Sequence, residues 1–231
     1  MSRLTLEKVN TPALHTLTPG VLVVGSYAAF APLCWQDGDT PRGRDIDFLR
    51  AFATQVELRL VVRFFAFDRL WERPRHSEVD IAAASIAPLA SRNAPGMVWS
   101  EPYFTVQRSL VIRATDRHTL KTMADFAGRT VGVTRGSTAD LDTGARKPAS
   151  TRVVYYDNQT RAVHALLRGR IDAFGTSDVC SHYLVERYPG QLAVADVHSM
   201  PTPENFAFAV RTASGLLEPL NAFIRTYRTQ Y

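Results

Sequence analysis

The chain has 231 residues, 45% hydrophobic and 21% charged, with a formal net charge of +5 and a pI near 9.5. That length can build one large core or two modest ones, and no run approaches the roughly 18 apolar residues needed to span a bilayer. The basic residues are scattered, with no block of five like charges and no basic stripe interleaved with aromatics. This pattern argues against nucleic-acid binding and fits a small anionic ligand better than a polyanion.

The first twenty residues carry charges and polar groups where a secretory leader needs an apolar centre. As it stands, the sequence reads as a cytoplasmic protein or as a mature form whose leader has been removed. VLVVGS (21–26) is a β-branched run closed by glycine, the pattern of a buried strand. GDTPRG (38–43) is a turn cluster, and DIDFLRAFATQV (45–56) places apolar residues at helical spacing behind an opening aspartate. LRLVVRFFAF (58–67) predicts a strand, DRLWERPRH (68–76) a short helix stopped by Pro74, and VDIAAAS (79–85) a third strand. This alternation predicts a parallel sheet covered by helices.

The same order then begins again. RSLVIRA (108–114) predicts a strand, TLKTMADFAG (119–128) a helix ending near Gly128, and TVGVTRGS (130–137) a strand running into a glycine turn. A further strand (152–156), helix (160–168) and strand (171–177) follow, then a strand at 204–211 and a closing helix at 216–230. Two successive α/β units predict two lobes, residues 1–105 with 208–231 and residues 106–207, joined by a crossover near 100–107. Ligands of such sheets sit at the carboxyl ends of the strands, so a cleft between the lobes is expected. Cys34 and Cys180 are far apart and read as two buried thiols, and the six histidines never fall in a ligand pattern. No metal and no cofactor is expected.

The succession GVLVVGS…FAPL, GRDIDFLRAFA, FDRLWERPRHSEVDIAAAS…R, WSEPYF, DFAGRTVGVTRGST and LLRGRIDAFGTSD resembles the polar amino-acid-binding proteins, family 3 of the bacterial solute-binding proteins. The resemblance covers roughly residues 17 to 225. It implies a periplasmic-binding-protein-like type II fold, a monomer with two α/β lobes around a ligand cleft. It also implies work outside the cytoplasmic membrane, with a small carboxylate as ligand and an ABC transporter permease as partner in uptake. Arg92 occupies the family position whose guanidinium forks onto the ligand carboxylate, a geometry that suits two parallel charge-assisted bonds. Phe30 and Phe67 match the aromatic clamps, and Gly136, Ser137 and Thr138 match the anion loop.

Other positions depart from the pattern. Ser85 is present, but Ala87 and Leu89 stand where hydroxyls are usual, with Pro88 between them. Ser177 occupies the place of the carboxylate that pairs with a ligand ammonium, and Asp178 is next to it. The chain is also similar to the cyclohexadienyl dehydratases over residues 169–211. That similarity implies an alternative in which Glu204 is a general acid for loss of hydroxide with decarboxylation from prephenate or arogenate. Both readings, binding and catalysis, stand at this point.

Overall fold

The computed structural model describes residues 14–195 and 203–228. The chain opens with strand β1 (Val21–Ser26) and a small antiparallel sheet of β2 (Ala29–Phe30), β3 (Cys34–Asp37) and β4 (Thr40–Arg42). Helix α1 (Arg44–Gln55), β5 (Arg59–Phe64), β6 (Ile81–Ile86) and β7 (Met97–Trp99) follow. β8 (Phe104–Val106) then leads into a second unit of β9 (Arg108–Arg113), β10 (Thr130–Thr134), α2 (Thr138–Arg146), β11 (Arg152–Tyr156), α3 (Gln159–Leu167), β12 (Ala173–Ser177), α4 (Asp178–Arg187) and β13 (Leu192–Val194). β14 (Glu204–Arg211) returns to the first unit, and α5 (Leu217–Arg228) closes the described chain. The last two residues of the closing helix expected from the sequence, 229–230, lie outside the described residues.

The two large sheets have the orders β5-β1-β6-β14-β7 and β11-β10-β12-β9-β13. Each begins with three parallel strands and continues with antiparallel ones, so both sheets are mixed where the alternating pattern predicted parallel pairing. Both sheets are covered by helices, and each lobe has its own core. Leu22, Phe48, Phe52, Phe208 and Phe223 fill the first, whereas Val163, Leu166, Phe174 and Leu184 sit on one side of the second sheet, with Phe126, Val131 and Val133 on the other. Before β14 enters the first sheet it pairs with β8, Glu204 opposite Val106 and Phe206 opposite Phe104. This antiparallel ribbon joins the lobes.

Local chemistry explains where elements fall short of the pattern. Residues 68–76 form two 3-10 turns, Leu70–Glu72 and Pro74–His76, because Pro74 has no N–H to continue a helix and its ring crowds the preceding turn. The expected helix at 119–128 contracts to one turn, Met123–Phe126, closed at its start by a capping box between Thr122 and Asp125. β10 stops at Thr134 because the chain turns through Gly136 at φ +72°.

One arrangement in the first lobe sets the floor of the cleft. Gly43 precedes α1 at φ +116°, and a Cβ there would lie 2.4 Å from the Leu33 carbonyl oxygen. Only glycine fits, and the fit places Asp45 inside the lobe, fully buried. Its Oδ2 accepts from the Ser85 N–H at 2.6 Å and the Ser85 hydroxyl at 2.9 Å, and its Oδ1 accepts from the Tyr103 hydroxyl at 2.7 Å. Ser85 has φ +51°, a left-handed conformation that costs an L-residue about 1 kcal/mol or more. The two bonds from Asp45 hold it there. Tyr103, stacked on Phe208 with centroids 4.0 Å apart, carries the same network to the ribbon.

Burial pushes the Asp45 carboxyl up from 3.8 to about 6. The folded state therefore holds this proton more tightly than the unfolded chain. The stability that Asp45 contributes is complete below its unfolded value and is lost as pH rises through about 6, a change of about 3 kcal/mol. Asp45→Asn removes this dependence. Urea denaturation at a series of pH values should show wild-type stability falling relative to Asp45→Asn between about pH 4 and 7; a constant difference would show that Asp45 does not titrate in that range.

Candidate ligand-binding site

The lobes meet across the carboxyl ends of their strands. The Tyr27 hydroxyl donates to the Asp157 carbonyl, and Gln159 Nε2 donates to the Ala31 carbonyl at 3.1 Å. Between the lobes is a small inner cavity of about 30 Å³, walled by Tyr27, Phe30, Phe67 and Ser85 from one lobe and by Arg108, Ser137, Thr138 and Thr176 from the other. Phe67 packs edge-on against Tyr27 and Trp71, with centroids 5.9 and 6.2 Å apart, so its ring is fixed in the wall. The cavity thus gathers Phe30, Phe67, Ser85, Ser137 and Thr138 of the residues that the sequence singled out. The Ser85 hydroxyl is directed to Asp45.

Arg92 stands beside this cavity and not in its wall. It is 5% exposed, its guanidinium lies 4.3 Å over the Trp71 ring, and it donates to the Ala87 carbonyl at 2.8 Å and the Gly136 carbonyl at 2.7 Å. The second bond crosses between lobes. Burial lowers the Arg92 pKa to about 10, Glu204 raises it and Arg108 lowers it further; the group remains cationic at neutral pH.

The loop after β10 is built to open a helix. Gly136 turns the chain, and Ser137 caps α2 by accepting from the Asp140 N–H at 3.1 Å. The Gly136 N–H donates to Asp140 Oδ2 at 3.1 Å, and the Thr138 hydroxyl donates to Glu204 Oε1 at 2.6 Å. Ser177 and Asp178 lie elsewhere. Ser177 is fully buried and caps α4 through the Cys180 N–H at 3.3 Å. Asp178 Oδ1 accepts from the adjacent Val179 N–H, and its own N–H donates to the Gln107 carbonyl. Cys34 and Cys180 are both buried and free of any disulfide.

Arg108 is the residue that the sequence reading passed over. It opens β9, is buried, and sits 2.5 Å from Glu204 Oε2 through Nη2. Its one signal in the sequence was its place, an arginine at the head of a strand with an apolar middle, directly after the expected crossover. Glu204 therefore meets Arg108 and Thr138 of the second lobe at the start of β14. Burial pushes the Glu204 carboxyl up, while Arg108, the Thr138 hydroxyl and Arg92 draw it back. Burial likewise lowers the Arg108 pKa and Glu204 opposes that shift. Among the described residues no group of three or more His, Cys, Asp or Glu side chains could hold a metal ion.

Two mixed α/β lobes joined by an antiparallel ribbon, with a polar and aromatic cavity at their interface, define a two-lobed ligand-binding protein. The model of the bacterial extracellular solute-binding proteins, family 3, matches residues 22–230, and the chain belongs to that family. It is 30% identical over 187 residues to the ABC transporter arginine-binding protein 1 of Escherichia coli, covering 78% of this chain and 73% of that one. It is 25% identical over 199 residues to the amino-acid-binding protein AabA of Dichelobacter nodosus, covering 85% and 78%. An ancestral arginine-binding protein bound to arginine superimposes with a TM-score of 0.82 at 27% identity, covering 91% of this chain and 93% of that chain. Among the described residues no helix is long and apolar enough to cross a membrane.

The Arg108–Glu204 pair is well shielded, with side chains 6% and 12% exposed. Removing one partner of such a pair leaves a charge without its counter-ion in a poorly solvated place. Glu204→Ala is expected to cost about 3 kcal/mol of stability, read from the midpoint of chemical denaturation; a loss below about 0.5 kcal/mol, the range of neutral surface changes, would show that the pair contributes little.

Proposed function

We propose that this chain binds one small carboxylate-bearing solute, an amino acid or related organic acid, for ABC-type uptake or sensing. In this reading residues 1–105 with 208–231 and residues 106–207 close on the ligand as two lobes. The observation that carries it is the presence of two buried guanidinium groups at the lobe interface, Arg92 from one side and Arg108 from the other, with Glu204 as their shared carboxylate. Two guanidinium groups against one carboxylate leave one net positive charge, and that charge calls for a further anion. Arg92 spends its interlobe bond on the Gly136 carbonyl, a neutral acceptor. A ligand carboxylate is a stronger partner and competes successfully for that donor. Phe30 and Phe67 supply apolar contact, and the loop of Gly136, Ser137 and Thr138 brings polar groups to the same space. The relatives that bind arginine or other amino acids support this class of ligand.

A thermal-shift screen of amino acids and small carboxylates tests the proposal, because a ligand present at 100 times its Kd stabilises the folded state by about 2.7 kcal/mol. At least one carboxylate should raise Tm, and Arg92→Ala should weaken that ligand tenfold or more. No shift with any carboxylate would refute the proposal.

The position of Glu204 favours a second reading, a carbon–oxygen lyase of the cyclohexadienyl dehydratase type. Desolvation pushes its buried carboxyl up, against Arg108 and Thr138, which favour the carboxylate; in this reading a substrate carboxylate draws Arg108 away and leaves Glu204 to protonate a leaving hydroxyl. This reading predicts formation of phenylpyruvate from prephenate, or of phenylalanine from arogenate, that disappears in Glu204→Gln. Absence of turnover in the wild-type chain, or turnover that survives the substitution, would count against it.

A further inference from the structure

The wall chemistry of the cleft restricts the ligand beyond its carboxylate. Among the described residues that line the inner cavity there is no aspartate or glutamate, and its one cationic side chain is Arg108. Aromatic rings, those of Phe30 and Phe67 among them, supply much of the remaining surface. On the far side of the Arg108–Glu204 pair is a recess lined by Pro88, Leu89 and Leu141. The recess shares Arg108 and Thr138 with the inner cavity, so the two spaces adjoin. Leu141 is 54% exposed there, one of two large hydrophobic side chains so exposed among the described residues.

The recess does hold two carboxylates, and both face guanidinium groups of the protein. Glu204 is bonded to Arg108 and Thr138, and Asp142 Oδ1 lies 3.6 Å from Arg146 Nε. A ligand that carries a cationic side chain into the inner cavity or the recess would meet Arg108 and find both carboxylates there, Glu204 and Asp142, already paired; Asp68 and Asp157 line a separate opening past Phe67 and Thr134. Burial of such a charge is costly. An apolar side chain meets no such cost and covers Leu141, Pro88 and Leu89.

We infer that this cleft selects a carboxylate whose remainder is uncharged and apolar, an aromatic or branched-chain amino or keto acid, and rejects arginine and lysine. The inference rests on the carboxylate-binding reading above. It sets this chain apart from the arginine-binding relatives that share its fold, and it makes Arg108 a specificity-determining residue.

Isothermal titration of the full chain with phenylalanine, phenylpyruvate, leucine, 4-methyl-2-oxopentanoate, glutamate, arginine and lysine tests it. An apolar acid should bind at least a hundredfold more tightly than arginine or lysine, and the amino and keto members of each pair identify which head group is accepted. Arginine or glutamate binding as tightly as any apolar acid would overturn the inference and leave the carboxylate-binding reading intact. If none of the seven binds, the inference fails, and the wider carboxylate screen decides the reading beneath it. Arg108→Met should release Glu204 and raise arginine affinity at least tenfold. A variant that retains its circular dichroism and cooperative melting but gains nothing for arginine would refute the role of Arg108; if the variant does not fold, the wild-type titrations decide.

Discussion

Glu204 is the point on which the two lobes depend. It stands where the chain re-enters the first lobe, and it meets Thr138 and Arg108 of the second. A carboxylate at that place ties the start of α2 and the first strand of the second lobe to the ribbon that connects both. Its burial makes the tie demanding: the charge is tolerated because a guanidinium and a hydroxyl face it. The same pairing occupies Glu204, so that no unpaired carboxylate among the described residues faces the inner cavity.

A second buried carboxylate has a different task. Asp45 faces two hydroxyls and a backbone N–H, with Arg44 as a more distant cation. It fixes Ser85 in a conformation that the backbone alone disfavours and fastens Tyr103 to the same point. The cleft floor and the connecting ribbon therefore share one anchor. Shape at the binding surface and geometry at the connection are coupled through three hydrogen bonds in the first lobe.

The fold was largely legible because its strands are written as β-branched and apolar runs with punctuation. VLVVGS forms β1 over the expected residues, and ENFAFAVR forms β14 likewise. Pairing direction was not legible, since a buried strand has the same composition whether its neighbour is parallel or antiparallel. The short strands β7, β8 and β13 were missed for a related reason, having three residues each and little room for periodicity. At the site, Phe30, Phe67, Ser137 and Thr138 could be placed from their positions at strand and helix ends. Arg108 stands at a strand start too, but its burial shows only when its partner, nearly a hundred residues later, is brought beside it.

The contacts that latch the cleft have a common feature with an evolutionary consequence. Tyr27, Gln159 and Arg92 each reach across to a main-chain carbonyl, those of Asp157, Ala31 and Gly136. Every residue type carries that acceptor, so the identities at 157 and 31 are free to drift without loss of the bond, whereas Gly136 is held by its turn. Selection on the latch falls chiefly on the three donors. The lobe faces opposite them remain open to mutation, and a family built on such a latch can acquire new ligands while it keeps one closed form.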